Sequence, residues 1–358
     1  MKAYLHVYKE LKSKIVDGAY KLGDKLPSKR NLSIEYGYSV ITIEHALMLL
    51  SDEGYIDSRE RSGNYVIYNA DLISFGGEIN EHKVREDSLS MSSIPEEFSV
   101  SLYARTVRKV IGHYQDYMFS RCENQGAYIL REAISDYLRR SRGIDVLPDE
   151  ILIGSGAEYL YGLISQIIDE KEIGIENPSY EKIERVYEKH ALKVCKLDMG
   201  SDGIKSEALK STPVRVLHVT PYSSYPTLIT ASASKKHEYL AWVKERTGII
   251  VEDDYGSEFS MLGKSEDTLY ALEPEESVIY LNTFSVTVSP SIRVGYMIFP
   301  KKRCKEFMDK ISFYSCTVPL LEQLVLAEIL NNGDFERHLN RVRRNRRKAK
   351  KNTALNRD

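Results

Sequence analysis

Short β-rich runs alternate with helical segments from about residue 99 onward, and no other feature of the sequence limits the fold as strongly. The runs are EILIGSG, EIGIENPSY, VRVLHVTP, GIIVEDDY and SVIYLNTFS. Between the first two lies AEYLYGLISQII, which places Leu160, Leu163, Ile164 and Ile167 on one helical face. Such alternation is typical of a largely parallel sheet covered by helices on both faces. We therefore predict an αβα domain over residues 99–335.

The first 68 residues predict a separate and smaller domain. Apolar residues recur at helical spacing in a first helix, and Pro27 and Ser28 open a second short helix that Gly37 ends. Ser39 caps a third helix, whose inner face consists of Ile43, Ala46, Leu47 and Leu50. The pieces YIDS and NYVIY, joined by RERSG, then form a hairpin. Three short helices followed by a hairpin predict a winged helix-turn-helix over residues 1–68.

Two further segments differ in composition from these domains. Residues 69–98 lack sustained periodicity and carry Gly, Ser, Pro and charge, which predicts a linker. Residues 336–358 predict a basic C-terminal helix, because no acidic residue separates Arg337, Arg341, Arg343, Arg344, Arg346, Arg347, Lys348, Lys350 and Lys351. This run either binds nucleic acid electrostatically or is the solvated face of a helix.

The cysteines and the N-terminus bear on location and on metals. The four cysteines, at positions 122, 195, 304 and 316, fall in no CxxC or Cys/His spacing, which suits a reducing compartment and indicates no structural metal. The N-terminal MKAYLHVYKELKSK mixes charged and apolar residues, so it predicts neither a signal peptide nor a membrane span. We expect a cytoplasmic protein without metal and without a membrane segment.

Candidate binding residues follow the predicted strands of the larger domain. In open α/β sheets ligands bind at the carboxyl ends of the strands. The residues placed there are Ser155, Gly156, Ala157, Tyr180, Asp253, Tyr255, Thr283, Ser285 and Arg293. Pyridoxal phosphate binding is the chemistry that accounts for this set.

Each candidate has a role in such a site. Ser155, Gly156 and Ala157 begin a helix directly after a strand, where backbone N–H groups favour a phosphate. Thr283 and Ser285 supply hydroxyl donors, and the guanidinium of Arg293 holds phosphate oxygens. Asp253 keeps a pyridine nitrogen protonated. Tyr255 donates to the phenolic oxygen of the ring, and Tyr180 stacks on its face.

Residues 4–68 resemble the GntR-type DNA-binding domain, through GDKLPSKRNL, YGYS and EGYIDSRERSGNYV at their mutual spacing. The resemblance implies that the helix beginning at Ser39 enters the major groove of operator DNA. Residues expected to contact the DNA are Lys29, Arg30, Ser39, Val40, Ile41, Thr42, Glu44, His45, Arg59 and Arg61. Val40 and Glu44 depart from the family pattern, which often has arginine and a basic or small residue there.

Residues from about 95 to 345 resemble the fold-type-I aminotransferase domain that is fused to a GntR-type domain in the MocR family of regulators. The matching stretches are NQGAYILREAISDYL, ILIGSGAEYLYGLI, ENPSY, VTPYSSYPT, IIVEDDYGSEF and NTFSVTVSPSIRVGYMIFP. The resemblance makes Asp253 the pyridine-nitrogen partner, Tyr255 the phenolic-oxygen partner and Arg293 the phosphate ligand. Val286 stands at the position of the Schiff-base lysine. Valine is neither nucleophilic nor titratable, so no residue is assigned a catalytic role.

Two more departures from the family concern a turn and the C-terminus. Ser223 and Ser224 replace a usual histidine-glutamine pair, and Leu228 replaces a glycine. Because leucine disfavours a positive φ, we predict that this turn is reshaped. The basic helix is expected to be a truncated small domain that lacks the arginine for a substrate carboxylate.

Three functions remain open from the sequence. The first is a DNA-binding transcription regulator whose aminotransferase-like domain is non-catalytic and serves effector sensing or dimerisation. The second is a pyridoxal-phosphate-dependent aminotransferase with an appended DNA-binding domain, and the third is a decaying, truncated paralogue. The first predicts a homodimer on operator DNA with an amine or amino-acid effector. Its cofactor is pyridoxal phosphate or pyridoxamine phosphate bound noncovalently, with a vacant site as the alternative.

Overall fold

The computed structural model describes residues 3–59, 62–68, 98–260 and 267–355, the last without the side chains of 349–355. Within these ranges the chain divides into two compact units, Met1–Tyr117 and Met118–Asp358. Residue Arg61 and nearly all of the predicted linker lie outside the described residues. None of the described helices combines the length and the apolar character that a membrane span requires.

The first unit contains three helices, a hairpin and a fourth helix. They are α1 (Ala3–Val16), α2 (Lys29–Tyr36), α3 (Val40–Asp52), β1 (Ile56–Arg59), β2 (Gly63–Val66) and α4 (Val100–Tyr114). The strands pair in antiparallel register from Ile56 opposite Val66 to Arg59 opposite Gly63. Apolar side chains from all three helices and the hairpin form one core, among them Leu11, Leu47 and Val66.

Local signals set the bounds of the two short helices. The Ser28 hydroxyl accepts a hydrogen bond from the Asn31 N–H at 3.2 Å and caps α2, which ends at Gly37 with φ 68°. The Ser39 hydroxyl caps α3 in the same way, through the N–H of Thr42 at 3.2 Å. The winged helix-turn-helix predicted from the sequence is therefore observed.

Helix α4 belongs to the first unit, although we had placed the domain boundary at residue 98. Its Arg108 guanidinium lies 4.8 Å from the centre of the Tyr55 ring, and Arg105 forms a 3.8 Å ion pair with Asp52 at the end of α3. These contacts join a helix from beyond the predicted linker to the hairpin and to α3.

The second unit is built around a seven-stranded sheet. Its strands are β3 (Ile151–Gly154), β4 (Glu172–Asn177), β5 (Lys193–Asp198), β6 (Val216–Val219), β7 (Ile249–Asp253), β8 (Val278–Thr283) and β9 (Gly295–Ile298). The order across the sheet is β3-β9-β8-β7-β6-β4-β5, with β9 antiparallel to both neighbours and the β8–β7–β6–β4–β5 pairings parallel. The predicted largely parallel sheet is thus observed.

Helices connect and cover these strands. They are α5 (Tyr128–Arg142), α6 (Ala157–Ile167), α7 (Glu181–Lys189), α8 (Ser206–Ser211), α9 (Ala233–Arg246), α10 (Leu269–Leu272), α11 (Phe284–Thr287), α12 (Cys304–Ile311), α13 (Leu320–Asn331) and α14 (Asp334–Leu355). The central strands are buried along their whole length, since both faces of the sheet are covered. The predicted face of α6, including Leu160 and Ile164, packs into the largest apolar core of this unit.

The strand ends converge at one edge of the sheet. Gly154 at the end of β3 pairs with Gly295 at the start of β9, which pairs in turn with Thr283 at the end of β8. Asp253 ends β7 beside Leu281 of β8. This carboxyl edge therefore collects the candidate residues, which the sequence distributes over more than one hundred positions.

Candidate functional site

Asp253 is the centre of a buried polar group at the carboxyl edge, which we call the inner cluster and define as Asp253, Tyr161, Tyr187 and His218. Asp253 is 3% exposed. Its Oδ2 accepts a hydrogen bond from the Tyr161 hydroxyl of α6 and lies 3.6 Å from His218 Nε2 of β6. The Tyr187 hydroxyl lies 2.8 Å from the other ring nitrogen of His218. Three elements thus fix the position of one carboxylate.

The buried carboxylate affects the tyrosines around it. Burial raises the pKa of Tyr161 well above its usual value, and the negative charge of Asp253 acts in the same direction. Burial, followed by the Asp253 charge, also raises the pKa of Tyr187. Both phenols are therefore neutral at ordinary pH, and Tyr161 is the donor to Asp253.

Asp253 Oδ1 is buried and has no hydrogen-bond partner among the described residues. A buried acceptor left unpaired costs about 1–3 kcal/mol, so its presence points to a donor other than the described residues. The N–H of a protonated pyridine ring is a donor of this kind. The inner cluster therefore fits the ring end of a pyridoxal-type cofactor.

Tyr161, Tyr187 and His218 were absent from our sequence-based candidates. His218 had a detectable signal, because it interrupts the otherwise apolar strand VRVLHVTP, and buried polar residues need partners. Tyr161 and Tyr187 lie on helices with apolar faces, where a tyrosine resembles an ordinary core residue. Only the fold brings them to Asp253.

Tyr255 lies two residues beyond Asp253 and reaches the loop after β6. Its hydroxyl donates a hydrogen bond of 3.3 Å to the carbonyl oxygen of Ser223. Burial and the nearby Asp253 charge raise the pKa of Tyr255 to about 12. A neutral phenol at this place is a hydrogen-bond donor, as the predicted role towards a phenolic oxygen requires.

The loop after β6 is tied to the sheet by a second buried carboxylate. Glu176 accepts a hydrogen bond from the Ser224 hydroxyl at 2.5 Å and another from the Thr220 N–H at 3.1 Å. Burial raises the pKa of Glu176 to about 7, and Asp253 contributes in the same direction. Ser224, a departure from the family pattern, thus has a structural partner.

Leu228 adopts a left-handed conformation with φ 58°, although leucine disfavours a positive φ, so the expected reason for a reshaped turn does not hold. Its N–H donates to the Ser224 carbonyl at 2.6 Å, and the Ser224 N–H donates to the Ile229 carbonyl at 2.8 Å. These bonds hold the turn, and the side chain is 66% exposed, which leaves space for a leucine. The hydrogen bonds offset the cost of the unusual backbone.

Arg293, the candidate phosphate ligand, packs directly against Gly156, just before α6. A Cβ atom at Gly156, where φ is 87°, would lie 3.3 Å from the guanidinium carbon of Arg293. Gly156 precedes α6, and no side chain caps that helix. Ala157 and Ser155, both half-buried, flank the glycine. The arrangement brings a guanidinium to the uncapped start of a helix, as a phosphate site does.

A carboxylate already contacts that guanidinium. Glu158 Oε2 lies 3.2 Å from Arg293 Nη2, and its other oxygen forms an ion pair with Lys182 of α7. Lys182 first and Arg293 second lower the pKa of Glu158. We call Glu158, Lys182 and Arg293 the outer cluster; their side chains are one-third to one-half exposed.

The hydroxyls of Thr283 and Ser285 are engaged within the chain. Thr283 donates to the Val294 carbonyl at 3.1 Å and accepts from the Ser285 N–H at 3.2 Å. Ser285 donates to the Ile292 carbonyl at 2.8 Å. The two residues therefore fasten α11 to the segment that carries Arg293.

Val286 lies in the single turn of α11 and is half-buried. A Cβ at Gly256 would lie 3.5 Å from Val286 Cγ1, so this side chain faces the turn that follows Tyr255. Tyr180, 39% exposed, precedes α7 and meets Tyr225 edge-on with ring centres 6.2 Å apart. The structure thus brings Val286 beside Tyr255, while Tyr180 remains available at the surface.

Next to the inner cluster lies a buried ion pair. Arg142 at the end of α5 contacts Asp254 at 2.8 Å, and both side chains are at most 6% exposed. The Tyr280 hydroxyl donates to the same Asp254 oxygen at 2.7 Å. This pair fixes the residue that follows Asp253.

In the first unit, most of the predicted DNA-contacting residues lie at the surface. Val40 and Ile41 are 42% and 67% exposed at the start of α3, and Ile41 lies on the side of the helix away from its buried residues. Lys29, Arg30, Ser39, Glu44, His45 and Arg59 are also exposed, and Thr42 is half-buried. The hydroxyls of Ser39 and Thr42 lie 2.9 Å apart at the start of α3.

Three of the charged candidates, Lys29, Glu44 and Arg59, form ion pairs. Glu44 forms an ion pair with Lys29 at 2.5 Å, which lowers the pKa of the Glu44 carboxyl. The pair joins α3 to α2, and it neutralises the acid that stands among the basic candidates. Arg59 contacts Asp57 at 3.2 Å and stacks on the Tyr65 ring at 4.6 Å.

The basic C-terminal segment forms the long helix α14, and part of its basic series faces inward. Arg343 donates to the Glu258 carbonyl at 2.7 Å, and Arg346 stacks on the Phe259 ring at 4.4 Å. His338, which is buried, contacts the Thr287 carbonyl of α11 at 2.9 Å. Arg344, Arg347 and Lys348 are exposed. Part of the basic series of α14 therefore packs against the domain, and only the rest is exposed to solvent or to a polyanion.

Comparison with known proteins identifies the first unit. Residues 3–66 match the family model described as bacterial regulatory proteins, gntR family. This match confirms the resemblance that the motifs in residues 4–68 predicted. Residues 3–66 are thus a GntR-type helix-turn-helix domain.

Curated relatives share the organisation of nearly the whole chain. The uncharacterized HTH-type transcriptional regulator YdeL of Bacillus subtilis (strain 168) is 29% identical over 97% of this chain and 77% of its own length. The probable rhizopine catabolism regulatory protein MocR of Rhizobium meliloti is 25% identical over 94% of this chain and 73% of its own.

The second unit has the fold of solved aminotransferases. The kynurenine aminotransferase of Pyrococcus horikoshii, in complex with PMP, matches with a TM-score of 0.63 and 24% identity. The match covers 70% of this chain but only 64% of that structure, less than two thirds of its length. The likeness shows an aminotransferase-like fold.

Proposed function

We propose that this chain, which joins a GntR-type helix-turn-helix domain to an aminotransferase-like domain, is a transcription regulator that binds operator DNA. In this proposal the aminotransferase-like domain senses a ligand or pairs two chains, and it performs no transamination. The exposed face of α3 is the observation that carries the DNA-binding role.

That face is presented by a rigid support. Four apolar side chains on the reverse of α3 are buried in the core: Ile43, Ala46, Leu47 and Leu50. The Ser39 cap fixes the first turn of the helix, where Val40 and Ile41 project into solvent. Exposed apolar side chains at the start of a recognition helix suit contact with thymine methyl groups, and Arg30 suits a backbone phosphate.

The Lys29–Glu44 ion pair bears on recognition as well. A carboxylate facing DNA is repelled by phosphates, but pairing with Lys29 offsets its charge. Glu44 then retains an acceptor oxygen suited to a cytosine amine. The ion pair therefore favours a hydrogen bond between Glu44 and a base edge over simple electrostatic attraction of the protein to the DNA backbone.

The absence of transamination rests on Val286. The side chain has no amine for covalent attachment and no group that takes a proton from a substrate carbon. When bound, pyridoxal phosphate supplies an electron-withdrawing pyridinium ring. In this chain Asp253 would accept the ring N–H, Tyr255 would donate to the phenolic oxygen and Arg293 would face the phosphate, so binding of pyridoxal phosphate or pyridoxamine phosphate would be noncovalent.

Two further parts of the proposal concern assembly and signal. Pairing of two aminotransferase-like domains would give a homodimer, whose two winged helices read the two halves of an operator. An amine or amino acid that enters the site would act as effector only if it binds one arrangement of the protein better than another.

The DNA-binding role is tested by selecting duplexes from a random library with the purified full chain. Binding of the enriched duplex is then measured by fluorescence anisotropy at several salt concentrations. We expect Ile41→Ala to weaken binding about tenfold through loss of a base contact. Arg30→Ala should weaken all duplexes alike and reduce the salt slope by about one charge.

Ile34→Ala is the matched control, because Ile34 on α2 is 83% exposed and is outside the predicted contact set. This variant should bind the selected duplex like the unaltered chain. Selection that enriches no sequence, or equal losses for Ile41→Ala and Ile34→Ala, would contradict sequence-specific binding through α3.

A further inference from the structure

We propose that Glu158 is a specificity-determining residue that disfavours a phosphate group at the carboxyl edge, so that the site prefers a pyridine ring lacking phosphate. The inference rests on the proposed ligand-binding role of the aminotransferase-like domain. It specifies the chemical class of the ligand: a protonated heteroaromatic ring with a small, non-anionic substituent.

The position of the Glu158 carboxylate supports this assignment. Arg293 packs against Gly156 at the start of α6, and its Nη2 lies 3.2 Å from Glu158 Oε2. Glu158 is itself the second residue of α6. A carboxylate therefore already contacts one nitrogen of the guanidinium that a phosphate would use.

Lys182 holds this carboxylate in place. It binds the second Glu158 oxygen from α7 and lies 5.8 Å from the centre of the Tyr180 ring, the face predicted to stack on a cofactor. Glu158 is thus tied on both of its oxygens. An incoming phosphate must share the guanidinium of Arg293 with Glu158 and lie beside a fixed negative charge.

Charges on the two clusters make the site asymmetric. At the inner cluster, Asp253 offers to an N–H donor a buried oxygen that has no partner in the part of the chain that the structure describes. At the outer cluster, two cations and one carboxylate leave only one net positive charge for a phosphate dianion. Recognition therefore depends on the ring end of a ligand more than on its phosphate end.

The test compares two ligands that differ only by the phosphate, pyridoxamine and pyridoxamine phosphate. Neither has an aldehyde, so neither reacts with surface lysines. Their binding to the full chain and to Glu158→Gln is measured by isothermal titration calorimetry, with unfolding curves to verify that both proteins are folded. Glu172→Gln is the control, since Glu172 begins β4, far along the strand from the carboxyl edge, and forms an exposed pair with Lys193.

The unaltered chain should bind pyridoxamine at least as tightly as pyridoxamine phosphate. Removing the carboxylate should raise the affinity for pyridoxamine phosphate about tenfold, the effect of one like charge a few ångströms away in a partly exposed site. The affinity for pyridoxamine should stay unchanged, and Glu172→Gln should alter neither value.

Two outcomes would overturn the inference. A lower or unchanged affinity of Glu158→Gln for pyridoxamine phosphate would mean that Glu158 orients Arg293 for the phosphate or has no role. Absence of binding of either ligand to either protein would mean that the site takes no such ring. Selection of DNA by the same preparations distinguishes failure of the inference from failure of the regulator proposal.

Discussion

The inner and outer clusters differ in how deeply their charges are buried and, with that, in how closely they are bound to the fold. In the inner cluster, Asp253 is held by residues of α6 and β6 and is almost fully buried. In the outer cluster, Glu158 forms ion pairs with Lys182 and Arg293, and all three side chains remain in contact with water. Burial therefore separates the two clusters.

The difference teaches which parts of an enzyme-like site can change while the fold persists. A buried charge that loses its partner is costly, whereas exposed pairs contribute about 0–1 kcal/mol. The ring end of the site therefore depends on the same contacts that stabilise the sheet. Positions such as Glu158 and Val286 can vary at little cost to folding, and with them the chemistry that the site performs.

The largest expected effect is a difference in stability between variants of two arginines, each of which contacts a carboxylate. Arg142→Met leaves Asp254 charged and buried, so we expect the free energy of unfolding to fall by about 3–5 kcal/mol. Arg293→Met removes an exposed partner of Glu158, and we expect a loss below about 1 kcal/mol. Denaturant unfolding of both variants measures the contrast, and equal losses would remove the distinction between buried and exposed pairs.

The second effect concerns pH and Glu176. Its pKa is about 7 in the folded protein against an ordinary value of 4.5, so between these values the folded state binds more protons than the unfolded state. Stability therefore falls as pH rises through this window and levels off above it. Glu176→Gln lacks this dependence, so its stability relative to the unaltered chain should rise by up to about 3 kcal/mol from pH 4.5 to 7.

The same pH experiment can be made in the outer cluster with Glu158→Gln. Because the pKa of Glu158 is lowered, its carboxylate stabilises the fold above the ordinary value, and this contribution is lost as pH falls through the folded pKa. We expect a small change of opposite sign, since water screens the pair. A stability difference for Glu176→Gln that stays constant with pH would show that folding does not shift the pKa of Glu176.

The smallest expected effect on stability belongs to Val286→Lys. The position is half-buried beside the Tyr255–Gly256 turn, so a lysine can direct its amine towards solvent, and we expect a change below about 1 kcal/mol. The chemical effect should be large: borohydride should fix pyridoxal phosphate to this variant. Intact-mass measurement detects the adduct, and the unaltered chain, with its surface lysines, is the control.

Equal labelling of both proteins, or none in either, would contradict the assignment of Val286 to the attachment position. It would leave the buried inner cluster intact as a structural feature. The experiment therefore tests whether the site around position 286 still has the geometry for covalent attachment, so that only the amine of the lysine is missing.

Local patterns in the sequence predicted most of the fold. Ser28 and Ser39 cap helices and Gly37 ends one with a positive φ, each within a few residues of the signal. Apolar runs gave the strands, because strands buried on both faces need little else. Asp253 and Arg293 followed from their places at the ends of predicted strands, and the resemblance added their roles and the Val286 position; the structure collects all three at one edge of the sheet.

What the sequence did not predict depends on contacts between distant segments. The Tyr161–Asp253 and Arg293–Glu158 pairs are separated by 92 and 135 positions, and no local pattern marks them. The positive φ of Leu228 depends on hydrogen bonds across its turn. Helix α4 joins the first unit through contacts with Tyr55 and Asp52, which composition did not reveal.

The contact between His338 and α11 has a mechanical consequence. A carbonyl accepts and an arginine only donates, so the bonds to Thr287 O and from Arg341 fix His338 as a neutral imidazole with its proton on Nε2. Any ligand that pushes the turn carrying Val286 must either break this buried bond, at about 1–3 kcal/mol, or draw α14 with it. A displacement of α11 would in that way be transmitted to a helix of 22 residues.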